Sequence, residues 1–266
     1  MNTAVTAPLT LDTAPLWRMV AAQTRATLLF YRRVPAFFVL SMALPIMFYL
    51  LFGLPNAHRK LPDGSSLGTL IMAHMAAYAV SSVLVFNIGV GRANFRARKL
   101  DLLQRATPLP GWADVLANAV GAAVLALVSV MVLYAVATLG GGVSLGLTGW
   151  LSLTLRLIVG ALPLLGLGLA IGYSSGPNAA PAISNLIYLP LSFASGLLIP
   201  LQSLPDFVAR IAPYLPTYHY AELVDSGLTR TDEGPLAALL WLAGWGIVLF
   251  AIAARSYRRD WSRKFS

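Results

Sequence analysis

Hydrophobic residues in this chain come in long, nearly unbroken runs, separated by short segments that hold most of the charge. A bilayer core of about 30 Å takes roughly 20 apolar residues in a helix. Six runs are of that order: residues 34–54, 70–91, 115–139, 151–173, 179–201 and 236–254. The stretch Ser174-Ser175-Gly176-Pro177-Asn178 divides the fourth run from the fifth, because Gly-Pro-Asn favours a tight turn over one long helix. Solid apolar runs predict helices, since a membrane barrel would alternate apolar and polar positions. The expected fold is all-α, a polytopic membrane protein with six transmembrane helices.

The polar segments add two further elements. Ahead of the first run, Arg18, Arg25 and Arg32 recur every seven residues and share one helix face, with Leu16, Val20, Thr27, Phe30 and Tyr31 near the opposite face. Asp12 or Thr13 can cap this helix, and Pro15 suits its first turn. The pattern predicts an N-terminal amphipathic helix lying on the membrane, its basic side toward anionic headgroups. Before the last run, a short helix is expected to start near Pro205 with Ser203 as its cap and to stop before Pro213. Phe207, Val208, Ile211 and Tyr214 would form its apolar side, and Tyr214, Tyr218 and Tyr220 an interfacial aromatic belt. The expected organisation is a segment 1–33 with the interfacial helix, a transmembrane domain 34–254, and a basic tail 255–266. Within that domain lie a polar segment at about 92–108 and a re-entrant or interfacial segment at about 202–217.

Composition supports this class. Of 266 residues 58% are hydrophobic and 11% charged, and the mean hydropathy is +0.72. Soluble domains carry about 25% charged residues, so lipid must replace water around much of this surface. The net charge of +9 does not point to nucleic acid, because the basic residues sit in clusters between apolar runs. Arg18, Arg25, Arg32 and Arg33, then Arg92, Arg96, Arg98, Lys99 and Arg105, then Arg255, Arg258, Arg259, Arg263 and Lys264 fall on one side of a six-span arrangement. That is fourteen of the nineteen basic residues. Arg59, Lys60, Arg210 and Arg230 fall on the other side. The positive-inside rule predicts cytoplasmic termini, an external 202–235 loop, and a multi-pass protein of the cell (inner) membrane. The first run follows a polar, basic segment and is long enough to remain as a span, so no cleavable leader is expected.

The chemistry within the spans is sparse. No acidic residue falls in the middle of a run, and Asp114 stands at the cytoplasmic start of the third. Carriers driven by protons or sodium place carboxylates at membrane depth. Arg156 is the charged residue inside a run, about two turns from its outer end, and is expected to snorkel to the interface. The chain has no G-x-x-x-x-G-K-[ST] phosphate loop, and Gly140-Gly141-Gly142 reads as a flexible turn. It has no cysteine, and His58, His74 and His219 lack metal-ligand spacing, so no catalytic, metal or cofactor residue is assigned. An intramembrane hydrolase using Ser195 with His74 is a poor match, since serine beside glycine in membrane helices usually packs.

Two stretches carry more than topology. Residues 92–110 alternate basic residues with Leu100, Leu102 and Leu103 and end in Thr107-Pro108-Leu109-Pro110. Such a segment offers an apolar knob with a charged rim to a soluble partner. The second stretch contains Ser195-Gly196, Pro200 and Pro205. Both resemble the permease subunits of type-2 ABC exporters, the family of drug, polysaccharide and lipid exporters. There the cytoplasmic coupling helix reads like Glu-Arg-Glu-x-Gly-Thr-x-Glu-x-Leu-x-x-Thr-Pro, matched here by Leu103, Thr107 and Pro108. The external segment reads like Ser-Gly-x-x-x-Pro-x-x-x-x-Pro, matched by Ser195, Gly196, Pro200 and Pro205. The acidic residues of the first pattern are replaced by Arg96, Arg98 and Lys99, with Asp101 remaining.

The resemblance implies a permease subunit, not itself an enzyme, in an exporter of an amphipathic, drug- or antibiotic-like substrate. ATP and magnesium would sit on two copies of a partner ATPase, and a second permease would complete a homodimer or heterodimer in the lipid bilayer. Arg96, Arg98, Lys99, Leu100, Asp101, Leu102, Leu103, Arg105, Thr107 and Pro108 would form the ATPase interface. Ser195, Gly196, Pro200, Pro205, Phe207 and Ile211 would form the external gate or re-entrant segment. The alternatives are a lipid or glycan exporter and a non-transporting membrane scaffold that docks a cytoplasmic partner.

Overall fold

A computed structural model of the chain describes residues 15–33, 35–62, 64–101, 110–229 and 234–263. These residues are helical with no β-strand among them. The elements in order are α1 (Leu16–Arg33), α2 (Pro35–Phe48), α3 (Leu67–Val83), α4 (Gly89–Ala97), α5 (Gly111–Gly141), α6 (Gly146–Ser174), α7 (Ala180–Ala194), α8 (Asp206–Ile211), α9 (Pro216–Asp225) and α10 (Gly234–Arg263). A π-helical turn, Tyr49–Gly53, follows α2, and another, Leu84–Ile88, joins α3 to α4 without a break.

Four helices are long and apolar enough to cross a bilayer: Leu67–Ala97, Gly111–Gly141, Gly146–Ser174 and Gly234–Asp260. The predicted first span corresponds to α2 and the π turn that continues it, residues 35–53, and the fifth to a shorter apolar helix, Ala180–Ala194. For the fifth, the reason lies in one residue. The helix was expected to run to Pro200 but ends at Ala194, because Gly196 takes a left-handed φ of 83° and turns the chain. Fifteen residues rise only about 22 Å, short of a full crossing.

Leu67–Ala97 is the most enclosed span and Gly234–Asp260 the least. Close contact between the first of these and α6 depends on glycine. A Cβ at Gly168 would lie 2.7 Å from the Leu84 carbonyl oxygen, and one at Gly172 would lie 2.9 Å from that of Gly89. The two backbones thus meet without side chains between them, as small residues allow in membrane helices. Tyr188 of α7 fills the adjoining space, fully buried, with its hydroxyl donating to the Tyr78 carbonyl at 3.0 Å.

The Gly140–Gly142 run is the C-terminal cap of α5, with Gly142 left-handed at φ 63°. The predicted short helix before the last span is α8, but Pro205 occupies its N-cap and Ser203 belongs to a preceding 3-10 turn. Helix α9 was not expected. It buries Thr217, Tyr220, Ala221 and Val224 on one face, against α6 and α10. Tyr220 is therefore a core residue, its hydroxyl bonded to the Leu157 carbonyl at 2.8 Å, while Tyr214 stays exposed.

Candidate functional site

The segment after the second predicted span was read as one short helix over about 92–108. The structure divides it. Helix α4 carries the spanning helix on to Ala97, Arg98 and Lys99 form a turn with Lys99 left-handed at φ 55°, and helical backbone resumes at Leu100. Arginine at position 92 does not end the helix because its charge is neutralised inside the bundle. Its guanidinium pairs with Asp114 Oδ2 at 2.6 Å, both side chains buried. Aromatic faces of Phe95 and Tyr173 lie near the same cation.

Asp114 links three elements. Besides Arg92 of α4, its Oδ1 accepts from Gln23 Nε2 of α1 at 3.0 Å and from Asn118 Nδ2 of its own α5 at 2.9 Å. Thr27 of α1 lies close enough to α5 that a Cβ on Gly121 would meet its methyl at 2.8 Å. The N-terminal helix is thus docked along α5 through polar residues, Gln23, Thr24 and Thr27. Trp17 and Leu29 are left on its exposed side.

Arg96 was expected on a docking face. Its guanidinium instead donates to the Gly172 carbonyl at 2.7 Å and the Ser175 carbonyl at 3.2 Å, both at the end of α6, and pairs with Asp260 of α10. These bonds satisfy carbonyls that a helix end leaves open. Arg98 and Lys99 are exposed, and Leu100 and Asp101 are half-buried. Leu102, Leu103, Arg105, Thr107 and Pro108 lie outside the described residues.

These bonds bring α1, the 92–101 segment and the start of the C-terminal tail to one end of the bundle. Sequence reading grouped the same segments by charge, but nothing in their spacing announces the pairs Arg92–Asp114 and Arg96–Asp260.

The opposite end holds a second polar cluster. Arg156 of α6 does not snorkel. It bonds to the Leu223 carbonyl at 3.2 Å, to Ser226 Oγ, and to Ser152 Oγ at 3.3 Å. His74 of α3 meets Asp225 at 2.8 Å. Both arginine and histidine hold α9 against the spans. The other residues assigned to this end lie along the returning chain. Ser195 is buried and donates to the Ser192 carbonyl, apart from His74. Gly196 turns the chain, Pro200 precedes the 3-10 turn, and Pro205 starts α8. Phe207 and Ile211 are exposed on α8, 66% and 51%, so that helix offers an apolar face outward. The periodicity of 217, 220, 221 and 224 was the available signal for α9. The acidic and histidine residues within it made it read as loop.

A chain with multiple apolar spanning helices, a buried ion pair bracketing a basic loop, and a short helix with an exposed apolar face before the last span has known relatives. A sequence model described as "ABC-2 family transporter protein" matches residues 60–255. The chain is also similar to "Putative transport permease YvfS" of Bacillus subtilis (strain 168), 29% identical over 228 residues that cover 84% of this chain and 90% of that protein. With the match extending from the first polar loop to the end of the last span, the chain belongs to the ABC-2 family of transporter proteins, as a multi-pass membrane permease subunit.

Proposed function

We propose that this permease exports an amphipathic, drug- or antibiotic-like molecule from the cytoplasm or its inner leaflet, driven by ATP hydrolysis on separate ABC ATPase subunits. Two permeases, alike or of two kinds, stand above two ATPases in the inner membrane. Each permease spans six times with both termini cytoplasmic, the α2 and α7 regions supplying the first and fifth crossings. The segment from Arg98 to Pro108 is the coupling helix, and the chain from Ser195 to Tyr214 forms the external gate.

One observation carries the reading. The residues at the base of the 98–108 segment are fixed to the spans on both sides, Arg92 to α5 through Asp114 and Arg96 to the end of α6. A displacement of that segment would move α4 and the adjoining half of α6 as one body, since their backbones meet through glycine. Coupling needs such a rigid element with two arrangements.

Co-purification of the ATPase tests it. Burying a leucine side chain contributes about 1.5–3 kcal/mol, and interfaces concentrate energy in a few such anchors while rim charges act mostly on encounter. Leu103→Asp is expected to release the ATPase from a folded, inserted permease, and Arg98→Ala to leave most of it bound. An unchanged yield with Leu103→Asp would remove the docking assignment.

A further inference from the structure

At the basic end, a cavity of about 550 Å³ opens between α1, α5 and the helix running from the Leu84–Ile88 π turn through α4. Single drug-sized ligands occupy pockets of about 300–1,000 Å³. The wall is largely apolar, with Phe86, Phe95 and Leu169 among the lining residues. Two of its polar residues are not accounted for by the fold. Asn87 is 9% exposed, and its amide nitrogen is buried with no hydrogen-bond partner among the described residues. Arg98 lines the mouth, exposed, and no carboxylate among the described residues pairs with it.

The other charges of the cavity cancel. Arg92 is matched by Asp114, and the Gln23 and Asn118 amides donate to the same carboxylate. Among the described lining residues, the charge left over is the Arg98 cation at one end, and at the other end is an amide donor that lacks an acceptor. Eleven residues of helix separate the two, roughly 16 Å along the axis at 1.5 Å per residue. An orphaned buried donor is destabilising until something accepts from it. Its position on a π turn, a device frequent at functional sites, places that unmet bond where the helix is locally widened.

We propose that this cavity binds a single-chain organic anion from the adjoining leaflet. Its anionic head rests on Arg98, its apolar body lies between Phe86, Phe95 and Leu169, and a carbonyl acceptor near the far end takes the Asn87 amide. The cavity lies within one subunit, between α1 and the spans, so a molecule partitioned in the leaflet reaches it past the exposed apolar side of α1. The identification of such a molecule as transported cargo rests on the function proposed above. Its binding does not, and is measured without ATPase or nucleotide, so failure of one leaves the other standing.

The test uses the full-length permease in phosphatidylcholine nanodiscs and a diazirine-bearing monomethyl dodecanedioate, with crosslinked peptides mapped by mass spectrometry. Label is expected on the segments carrying Phe86–Arg98 and Val115–Asn118. Competition is expected to follow the order monomethyl dodecanedioate, then dodecanoate, then dodecyltrimethylammonium, the first exceeding the last at least tenfold. Arg98→Gln should weaken both anions about tenfold. Asn87→Ala should remove the advantage of the ester over dodecanoate while leaving dodecanoate competition intact, which also shows that the variant is folded. Equal competition by the cation, label placed elsewhere, or an ester advantage that survives Asn87→Ala would overturn the proposal. Displacement of the probe by phosphatidylglycerol in the nanodisc would also overturn it, by assigning the cavity to a two-chain membrane lipid.

Discussion

Asp114 offers the sharpest perturbation of the basic end of the bundle. Its carboxylate is 2% exposed and faces an arginine 8% exposed at 2.6 Å, with Gln23 and Asn118 donating to the other oxygen. Replacement by leucine leaves a buried guanidinium without its counter-charge. Removing one partner of a buried pair costs about 3–5 kcal/mol, whereas replacing both with apolar groups of similar volume is often neutral. Asp114→Leu is therefore expected to lose about 3–5 kcal/mol, and Asp114→Asn, which keeps an acceptor for Arg92, about 1–3 kcal/mol. The double variant Asp114→Leu with Arg92→Met should recover at least half of the single variant's loss. Unfolding titrations in mixed micelles read all three, with Gln23→Ala included to isolate the α1 contact, worth about 1.5–3 kcal/mol as a bond to a charged group. The ordering of the variants matters more than their absolute values, because an unfolded helix in a micelle finds partners of its own. A double variant no more stable than Asp114→Leu would refute the reasoning, since it would mean that the carboxylate acts other than by compensating Arg92.

Three further outcomes follow from the same geometry. Gly168→Ala drives a Cβ to 2.7 Å from the Leu84 carbonyl oxygen and is expected to destabilise by about 1–3 kcal/mol; Gly244→Ala, with open space around it, should be neutral or slightly stabilising, and equal effects would discredit the glycine contact. Arg156→Met removes the bonds to Leu223 and Ser226, so hydrogen exchange across Pro216–Asp225 should quicken at least tenfold; unchanged protection would show that α9 is held by packing alone. In this cysteine-free chain, Asp206→Cys should react with an impermeant thiol reagent from outside intact cells and Arg258→Cys should not; labelling of the latter would reverse the proposed orientation.

The sequence made the long spans legible because their signal is compositional: lipid tolerates few charges, and each run of apolar residues announces itself without reference to any other. The separation of α6 from α7 was legible for a local reason as well, the Gly176-Pro177-Asn178 turn. What escaped were features set by contacts across the bundle. Arg92 and Asp114 are separated by a whole loop, and only their packing reveals that a basic residue lies inside a span instead of beyond it. A lone cation in a membrane helix can escape by snorkelling, but the partners of Arg156 are Ser152 on its own helix, the Leu223 carbonyl of α9 and Ser226 just past the end of α9. That helix, α9, was hidden by its own polarity. Glu222 and Asp225 suggested water, whereas Asp225 is met by His74. The shortened α7 depends on one glycine, and Gly196 was noticed as a motif without its left-handed turn being drawn.

Helix α6 takes part in both polar clusters. Near its start Arg156 holds α9 at one end of the bundle, and at its finish the Gly172 and Ser175 carbonyls receive Arg96 at the other. Gly172 is sixteen positions on from Arg156, about 24 Å of helix, in a span that also packs backbone to backbone on the Leu84–Ile88 turn and α4. On the proposed coupling role, a push at the 98–108 segment would reach α9 along α6, with an arginine hydrogen bond at each junction. Pro163 interrupts that route at mid-length. Proline removes one ladder bond and bends the helix around it, so the two halves of α6 need not move through the same angle. The half nearer Arg96 is bound to α4 by glycine contact at Gly168 and Gly172, and the half nearer Arg156 meets α9 through Gly160, where a Cβ would strike the Tyr220 ring at 2.3 Å. Each half is thus fitted closely to the element it would carry, and under the proposed function the proline between them would let the two ends turn by different amounts while remaining one helix.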